Sequence, residues 1–166
     1  MARAGRSTSG RRTTRGERRV DLTWLRTVAG FSLRMLDLRM MKSYSDRIAD
    51  TGLTPAAATV VLVLDGNPGV SLGKLADALL IKRPNMTKLI KRLETRGLVR
   101  RRAAADDKRS ISVGLTAAGQ RQAKRLRVLQ DVQDNFALAA LSHSERFQLM
   151  MLISRILETL DAEESV

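Results

Sequence analysis

The chain has 166 residues, no cysteine and a formal charge of +13. A chain of this length can bury about 70% of the surface that it exposes when unfolded, so one globular domain needs no cross-links. The lack of cysteine excludes disulfides, thiolate metal sites and a thiol redox sensor. Because the sequence has neither a membrane-length apolar run nor the apolar segment of a secretory signal, we expect a cytoplasmic protein with no membrane partner.

The positive charge is densest at the N-terminus. Residues 1–20 hold seven arginines and one acidic residue, a net charge of +6, which leaves +7 on the remainder. This excess favours a polyanionic partner, and nucleic acid is the commonest one. Residues 1–20 contain almost nothing to bury, so we expect a disordered basic arm that is either a ligand of DNA phosphates or an inert tail.

Helical spacing of apolar residues organises most of the chain. From Asp21 to about Asp50 it predicts one long helix, whose only internal break signal is Gly30. Five further helices follow, and most begin at a hydroxyl side chain suited to capping. They run from Thr54 to about Leu64, from Ser71 to Leu79, from about Pro84 to Arg96, from Thr116 to about Leu141, and onward from the capping box Ser142-His143-Ser144-Glu145.

Two short runs between the fourth and fifth helices are typical of β-strands. Gly97 suits a left-handed helix end, and Leu98–Arg102 and Ser110–Leu115 then flank a polar loop. A helix followed by such a hairpin predicts a winged helix-turn-helix. The expected fold class is therefore mainly α with a small β-hairpin wing.

The fourth predicted helix has two chemically different faces. At about 100° per residue, one side collects the apolar residues Met86, Leu89, Ile90 and Leu93, and the other side is basic and polar. Such a helix can pack on its own domain while its donors enter a major groove. Since the N-terminal half of an inserted helix penetrates deepest, we predict base contacts from Arg83, Asn85 and Lys88, and phosphate contacts from Lys82, Lys91 and Arg92. Taken alone, the same face is equally typical of a solvated surface helix.

The predicted wing adds a second cationic element. Arg100, Arg101 and Arg102 end its first strand, and alternation of strand faces lets only some of them reach phosphate. Arginine suits a narrow minor groove, which Arg109 could enter. Asp107 could hold loop amides or a guanidinium, and its main role is expected to be structural. The predicted DNA-binding residues outside the fourth helix are Arg102, Asp107, Lys108 and Arg109.

The order of residues in the wing resembles that of a known family. Asp107-x-Arg109-x-x-x-Val113-x-Leu115-Thr116, followed by Gly119, is similar to the wing signature of the MarR family of bacterial transcription regulators. The upstream helix-turn-helix is also similar to that family, through Leu75, Ala76, Leu79, Thr87, Leu93, Glu94, Gly97, Leu98, Val99 and Arg101. The resemblance covers about 45 residues, excludes residues 1–20, and adds Thr87 to the predicted DNA-binding residues.

The resemblance implies a homodimer whose terminal helices intertwine and whose two lobes straddle a pseudo-palindromic DNA operator. The residues support this independently, because the first, fifth and sixth predicted helices carry more apolar side chains than a single lobe could cover. Two-fold pairing places two inserted helices about one DNA turn apart, ~34 Å. The expected organisation is an arm over 1–20, an N-terminal dimerisation helix over 21–50, a DNA-binding lobe over 51–117 and C-terminal dimerisation helices over 118–166.

Many members of this family release DNA when a small phenolic or aromatic acid enters a cleft beside the dimer helices. Here the residues that could line such a cleft, or pack in the dimer interface instead, are Trp24, Phe31, Met35 and Tyr44. Arg26, Arg34 or Arg39 could pair with a carboxylate. The chain differs from some members of the family in two respects. It has no cysteine for a thiol switch, and His143 is its only histidine, which disfavours metal sensing.

The sequence does not favour an enzyme or a cofactor. It shows no paired-carboxylate arrangement, metal-ligand cluster, glycine-rich phosphate loop or nucleophile–base set. The leading hypothesis is a dimeric, sequence-specific DNA-binding regulator, most often a repressor in such families, that a ligand releases. One alternative is an architectural protein that compacts DNA through charge. Another is a winged helix used for protein interaction, against which the basic face argues.

Overall fold

The structure is a computed structural model that describes residues 20–103 and 111–163. The helices in these ranges are α1 (Ala29–Arg47), α2 (Pro55–Gly66), α3 (Leu72–Ala78), α4 (Arg83–Thr95), α5 (Ala117–Ala137) and α6 (His143–Glu163). The strands are β1 (Val70–Ser71), β2 (Val99–Ala103) and β3 (Ile111–Leu115). This mainly helical chain with a small antiparallel sheet confirms the predicted fold class. It divides into two compact units, one up to Leu36 and one from Asp37.

In the first unit the helix begins later than the sequence predicts. The Asp21 carboxylate accepts hydrogen bonds from the amide nitrogen of Thr23 at 2.9 Å and from its hydroxyl at 2.7 Å. A short 3-10 turn, Leu25–Thr27, follows, and Val28 is extended with ψ at 117°. Short polar side chains offer the backbone local bonds that compete with a helix. The prediction of one helix from Asp21 was therefore wrong.

The predicted capping residues begin their helices in the second unit. The side chains of Thr54, Ser71 and Thr116 each accept a hydrogen bond from the amide three residues further on, at 3.3, 3.2 and 3.1 Å. Ser142 and Glu145 form the predicted capping box, in which the Glu145 carboxylate accepts from the Ser142 amide at 2.8 Å and the Ser142 hydroxyl accepts from the Glu145 amide at 3.4 Å. These local bonds fix where the helices start.

The sheet has three strands in the order β1-β3-β2, all antiparallel. Val113 of β3 lies between Val70 of β1 and Arg101 of β2. The predicted hairpin is therefore confirmed, and β1 is an addition that the sequence did not predict. It is two residues long, and its partner strand lies about 40 residues away in the sequence, so no local periodicity marks it.

The core of the second unit forms where α2, α4, α5 and the sheet meet. Each of these elements contributes fully buried apolar side chains, among them Val60, Val61, Leu64, Met86, Ile90, Leu93, Val113 and Leu126. The close approach of α5 depends on Gly119, where a Cβ would lie 2.0 Å from the Leu98 carbonyl oxygen. Among the described residues, no helix is long and apolar enough to cross a membrane.

Candidate DNA-binding surface

Helix α4 has the two faces that the sequence predicts. Met86 and Ile90 are fully buried and Leu93 is 1% exposed, so this side is fixed in the core. The opposite side, which we call the basic face, is solvent-exposed and consists of Lys82, Arg83, Asn85, Thr87, Lys88, Lys91 and Arg92. The structure thus brings together all seven residues predicted for this helix, on one accessible surface.

Most donors on the basic face have no partner among the described residues. Over residues 20–103 and 111–163, the side chains of Lys82, Asn85, Lys88, Lys91 and Arg92 make no hydrogen bond or ion pair in the structure. Arg83 differs, since its guanidinium lies 3.5 Å from the Asp77 carboxylate of α3. Both of these side chains are largely exposed, so the ion pair is weak and easily exchanged. The Thr87 hydroxyl donates to the Arg83 carbonyl.

A groove extends the basic face towards the start of α2. It has a volume of about 620 Å³ and lies between α4 and the segment that leads into α2. Its lining combines apolar side chains with cations, including Leu53, Ala57, Leu89, Lys88, Lys91 and Arg92. Cations of the basic face therefore border a concave surface that is otherwise largely apolar.

The C-terminal end of α4 is held by contacts for which the sequence analysis assigned no role. The Arg96 guanidinium donates to the Thr51 carbonyl at 2.8 Å and to the Gly52 carbonyl. On the other side, Arg101 of β2 donates from Nε to the Glu94 carboxylate at 2.9 Å and from Nη2 to the same oxygen. This pairing lowers the pKa of Glu94 and raises that of Arg101. The Arg96 contacts join residues more than 40 positions apart, which no short motif reveals.

The three arginines of β2 divide between the two faces of the sheet. Arg101 turns towards Glu94, whereas Arg100 and Arg102 are exposed and line a shallow cavity of about 430 Å³ beside the turn that follows α2. The expectation that only some of these arginines can reach phosphate is therefore consistent with their placement. The other predicted wing residues, Asp107, Lys108 and Arg109, lie outside the described residues.

The residues predicted for a ligand cleft have different surroundings. In the first unit Trp24 is 73% exposed, and Phe31 and Met35 are half-buried. In the second unit Tyr44 is only 4% exposed, its hydroxyl has no hydrogen-bond partner among the described residues, and burial raises its pKa. A role for these four residues in ligand binding stays a prediction.

A buried polar group lies near Tyr44 on α5. Gln133 is 1% exposed, and its Oε1 accepts from the Ser43 hydroxyl at 3.1 Å and from the Arg47 Nε at 3.0 Å. Its amide nitrogen has no partner among the described residues. The hydroxyl of Tyr44 on α1 and the amide nitrogen of Gln133 on α5 are thus buried donors, and most such groups in folded proteins find a hydrogen-bond partner. In the described ranges, no cluster of three potential metal-ligating side chains occurs.

Comparison with known proteins gives a consistent result. Residues 51–110 match a model of the MarR family. The chain is 30% identical over 128 residues to the putative transcriptional regulatory protein for the hcr operon of Thauera aromatica, covering 76% of this chain and 77% of that protein. It is also 30% identical over 135 residues to the transcriptional regulator HosA of Escherichia coli O127:H6, covering 81% and 98%.

A solved structure extends the likeness to three dimensions. The transcriptional repressor CouR, bound to a 23-mer DNA duplex, superposes with a TM-score of 0.77 at 29% sequence identity. The match covers 83% of this chain and 98% of that one. The similarity therefore includes helices on both sides of the winged helix, beyond the segment that carries the sequence motif.

Proposed function

The chain belongs to the MarR family of transcriptional regulators, and from this premise we propose that it is a homodimeric repressor that binds a pseudo-palindromic operator and is released by a small aromatic or phenolic acid. The protein acts in the cytoplasm, where the operator is accessible. DNA is read by α4, while Arg102, Lys108 and Arg109 of the wing follow the adjacent backbone or minor groove and Asp107 holds the wing loop in place.

The single observation that carries the DNA-binding proposal is the basic face of α4. Met86, Ile90 and Leu93 are buried, and most of its exposed donors have no partners among the described residues. Lysine and arginine donate to guanine acceptors, and asparagine matches the donor and acceptor edge of adenine. A helix held this way can present fixed donors to base edges without first breaking internal bonds.

Exposed apolar side chains support the homodimer. Helix α6 alone leaves seven large ones at least 49% exposed: Phe147, Met150, Met151, Leu152, Ile156, Leu157 and Leu160. Helix α5 adds Val128, Val132 and Phe136. A monomer rarely exposes this many large apolar side chains, and a second copy of the chain would cover them through a two-fold interface.

The buried polar atoms of Tyr44 and Gln133 support an effector with its own polar groups. A phenolic or carboxylic oxygen could satisfy both, and Arg47 lies within hydrogen-bond reach of Gln133 to neutralise a carboxylate. A role for Trp24, Phe31 and Met35 in contacting an aromatic ring is proposed from the family resemblance alone. Binding would shift the population towards a spacing of the two lobes that no longer matches consecutive grooves.

The DNA-binding proposal is tested by selecting bound sites from random duplexes with the full chain. We expect a pseudo-palindromic consensus that binds at least ~10³-fold more tightly than random competitor at the same salt concentration. Equal affinity for the consensus and the competitor would indicate an architectural protein instead. Undetectable binding at low salt would indicate a protein-interaction module.

The effector proposal is tested by titrating a panel of hydroxybenzoates against the protein and the selected duplex. Trp24 is the only tryptophan, so its fluorescence reports binding. A coupling of about 1–3 kcal/mol corresponds to a 5–150-fold loss of operator affinity. Tyr44→Phe should weaken the response to the effector without changing operator affinity in its absence. An unchanged response would argue against the Tyr44 contact.

A further inference from the structure

The turn between α3 and α4 contains a backbone conformation that normally favours glycine. Leu80 has φ at +52°, and it is the one non-glycine residue with positive φ in residues 20–103 and 111–163. The Leu80 amide donates to the Asp77 carbonyl at 3.1 Å, and the Ile81 amide donates to the Ala76 carbonyl at 2.9 Å. These two bonds form a helix-ending motif whose left-handed position is usually glycine. Leucine at this position is strained.

The Leu80 side chain contributes nothing to the core in return for this strain. It is 86% exposed, more than any other large apolar side chain in the described ranges. The apolar contact that usually accompanies such a helix end is made by Ile81, which packs against the core. The fold uses the left-handed conformation at residue 80, in which glycine would be less strained, but not the leucine side chain. This is a reason to look for a function of the side chain.

The position of Leu80 along the chain indicates that function. Lys82 precedes the first residue of α4, and the exposed Arg83 and Asn85 follow on its first turn. Leu80 therefore lies at the end of α4 that penetrates the major groove in helix-turn-helix proteins. Thymine is the only base that presents a methyl group there, and apolar side chains contact it.

We propose that Leu80 contacts a thymine C5-methyl group in the operator and thereby contributes to sequence specificity. This inference depends on the proposed DNA-binding function. The left-handed backbone presents the side chain to solvent before DNA arrives, so the contact forms without rearrangement of the turn. A mobile glycine turn would lack both the side chain and this fixed direction.

The experiment compares the wild type with Leu80→Gly and Leu80→Ala, using the duplex that the wild type selects. Leu80→Gly should unfold at a higher urea concentration, because the strain is removed, yet bind the operator several-fold more weakly. Leu80→Ala is the matched control. It keeps a Cβ in the strained conformation and removes only the apolar atoms that are proposed to contact the thymine methyl group. It should resemble the wild type in stability and Leu80→Gly in binding.

Replacing each operator thymine in turn by uracil, which lacks the methyl group, identifies the contact. One replacement should weaken wild-type binding roughly fourfold, the value of one buried methyl group, and leave Leu80→Gly unaffected. If the wild type selects a site but Leu80→Gly binds it equally well, or no uracil replacement distinguishes the two proteins, the Leu80 contact is refuted and the proposed function stands. If the wild type selects no sequence, the Leu80 contact and the proposed function are both refuted.

Discussion

Arg101 on β2 and Glu94 on α4 join the wing to the helix beside it. Two nitrogens of one guanidinium donate to a single carboxylate oxygen, with Nε at 2.9 Å. The side chains are 31% and 37% exposed, so solvent weakens the pair without removing it. Both elements are proposed to contact DNA, and this ion pair is one of the contacts that join them.

Glu94→Gln should weaken operator binding several-fold while leaving the preferred sequence unchanged, because it loosens the wing relative to α4 and alters no base contact. The pH dependence of stability provides a second readout. The folded-state pKa of Glu94 is lowered by its hydrogen bond from Arg101, so the stabilisation is present above the usual glutamate pKa of about 4.3 and is lost as pH falls through the lower value.

Urea unfolding of both proteins between neutral pH and about pH 3 checks this prediction. The difference in stability between wild type and Glu94→Gln should be largest at neutral pH and should shrink on acidification. A difference that grew as the pH fell would contradict the assigned role of the ionised carboxylate.

Asn85→Ala and Lys88→Ala should each reduce operator affinity by ~1–3 kcal/mol, with the loss concentrated at particular base pairs. Competition binding against a set of operators with single base changes measures this pattern. Lys124→Ala, an exposed lysine on α5, is the matched control and should bind like the wild type apart from a small general electrostatic effect. Equal losses at every operator position would mean that Asn85 and Lys88 contact only the backbone.

Arg109→Ala should weaken binding to all duplexes alike, because the side chain is proposed to enter a minor groove or contact phosphate. The slope of log affinity against log salt concentration should become shallower by about 1. Binding isotherms at several salt concentrations, on the operator and on a scrambled duplex, give this slope. A loss confined to the operator would assign Arg109 to base reading.

Gly119→Ala should destabilise the protein by about 2 kcal/mol or more, since the added Cβ would lie 2.0 Å from the Leu98 carbonyl oxygen. Gly30→Ala is the paired control. A Cβ at Gly30 meets nothing within 4 Å and the residue is helical, so the expected effect lies between none and a gain of about 1 kcal/mol. Urea midpoints should separate the two variants clearly, and equal midpoints would contradict the packing described at Gly119.

Leu157→Asp should convert the proposed dimer to monomers, because it places a charge on the apolar surface of α6. Sedimentation analysis should show half the wild-type mass, and affinity for a two-half-site operator should fall roughly 10²-fold or more as the second lobe is lost. Thr159→Asp adds the same charge on the polar side of the helix and should remain dimeric. A wild type that sediments as a monomer would refute the dimer itself.

The sequence contained most of the information needed for the winged helix. The helices that begin after Thr54 and Ser142 start at hydrogen bonds between residues only three positions apart in the sequence. The buried side of α4 follows from the spacing of its apolar residues. Such signals are local, and local patterns are visible without a structure. The basic face was predictable for the same reason.

The features that the sequence analysis missed depend on distant partners or on competition between local bonds. β1 forms because Val70 pairs with Val113 of β3, and the Arg96 guanidinium donates to a carbonyl 45 residues away. The late start of α1 reflects Asp21 bonding to Thr23 in place of a helical turn. The strain at Leu80 was also unpredictable, since leucine is ordinarily a good helix former.

The bonds from Arg96 to the carbonyls of Thr51 and Gly52 have a mechanical consequence. They fasten the C-terminal end of α4 to the short turn that follows α1, and the acceptors are backbone carbonyls. Substitution at Thr51 or Gly52 leaves a carbonyl in place, so this attachment depends on the identity of residue 96.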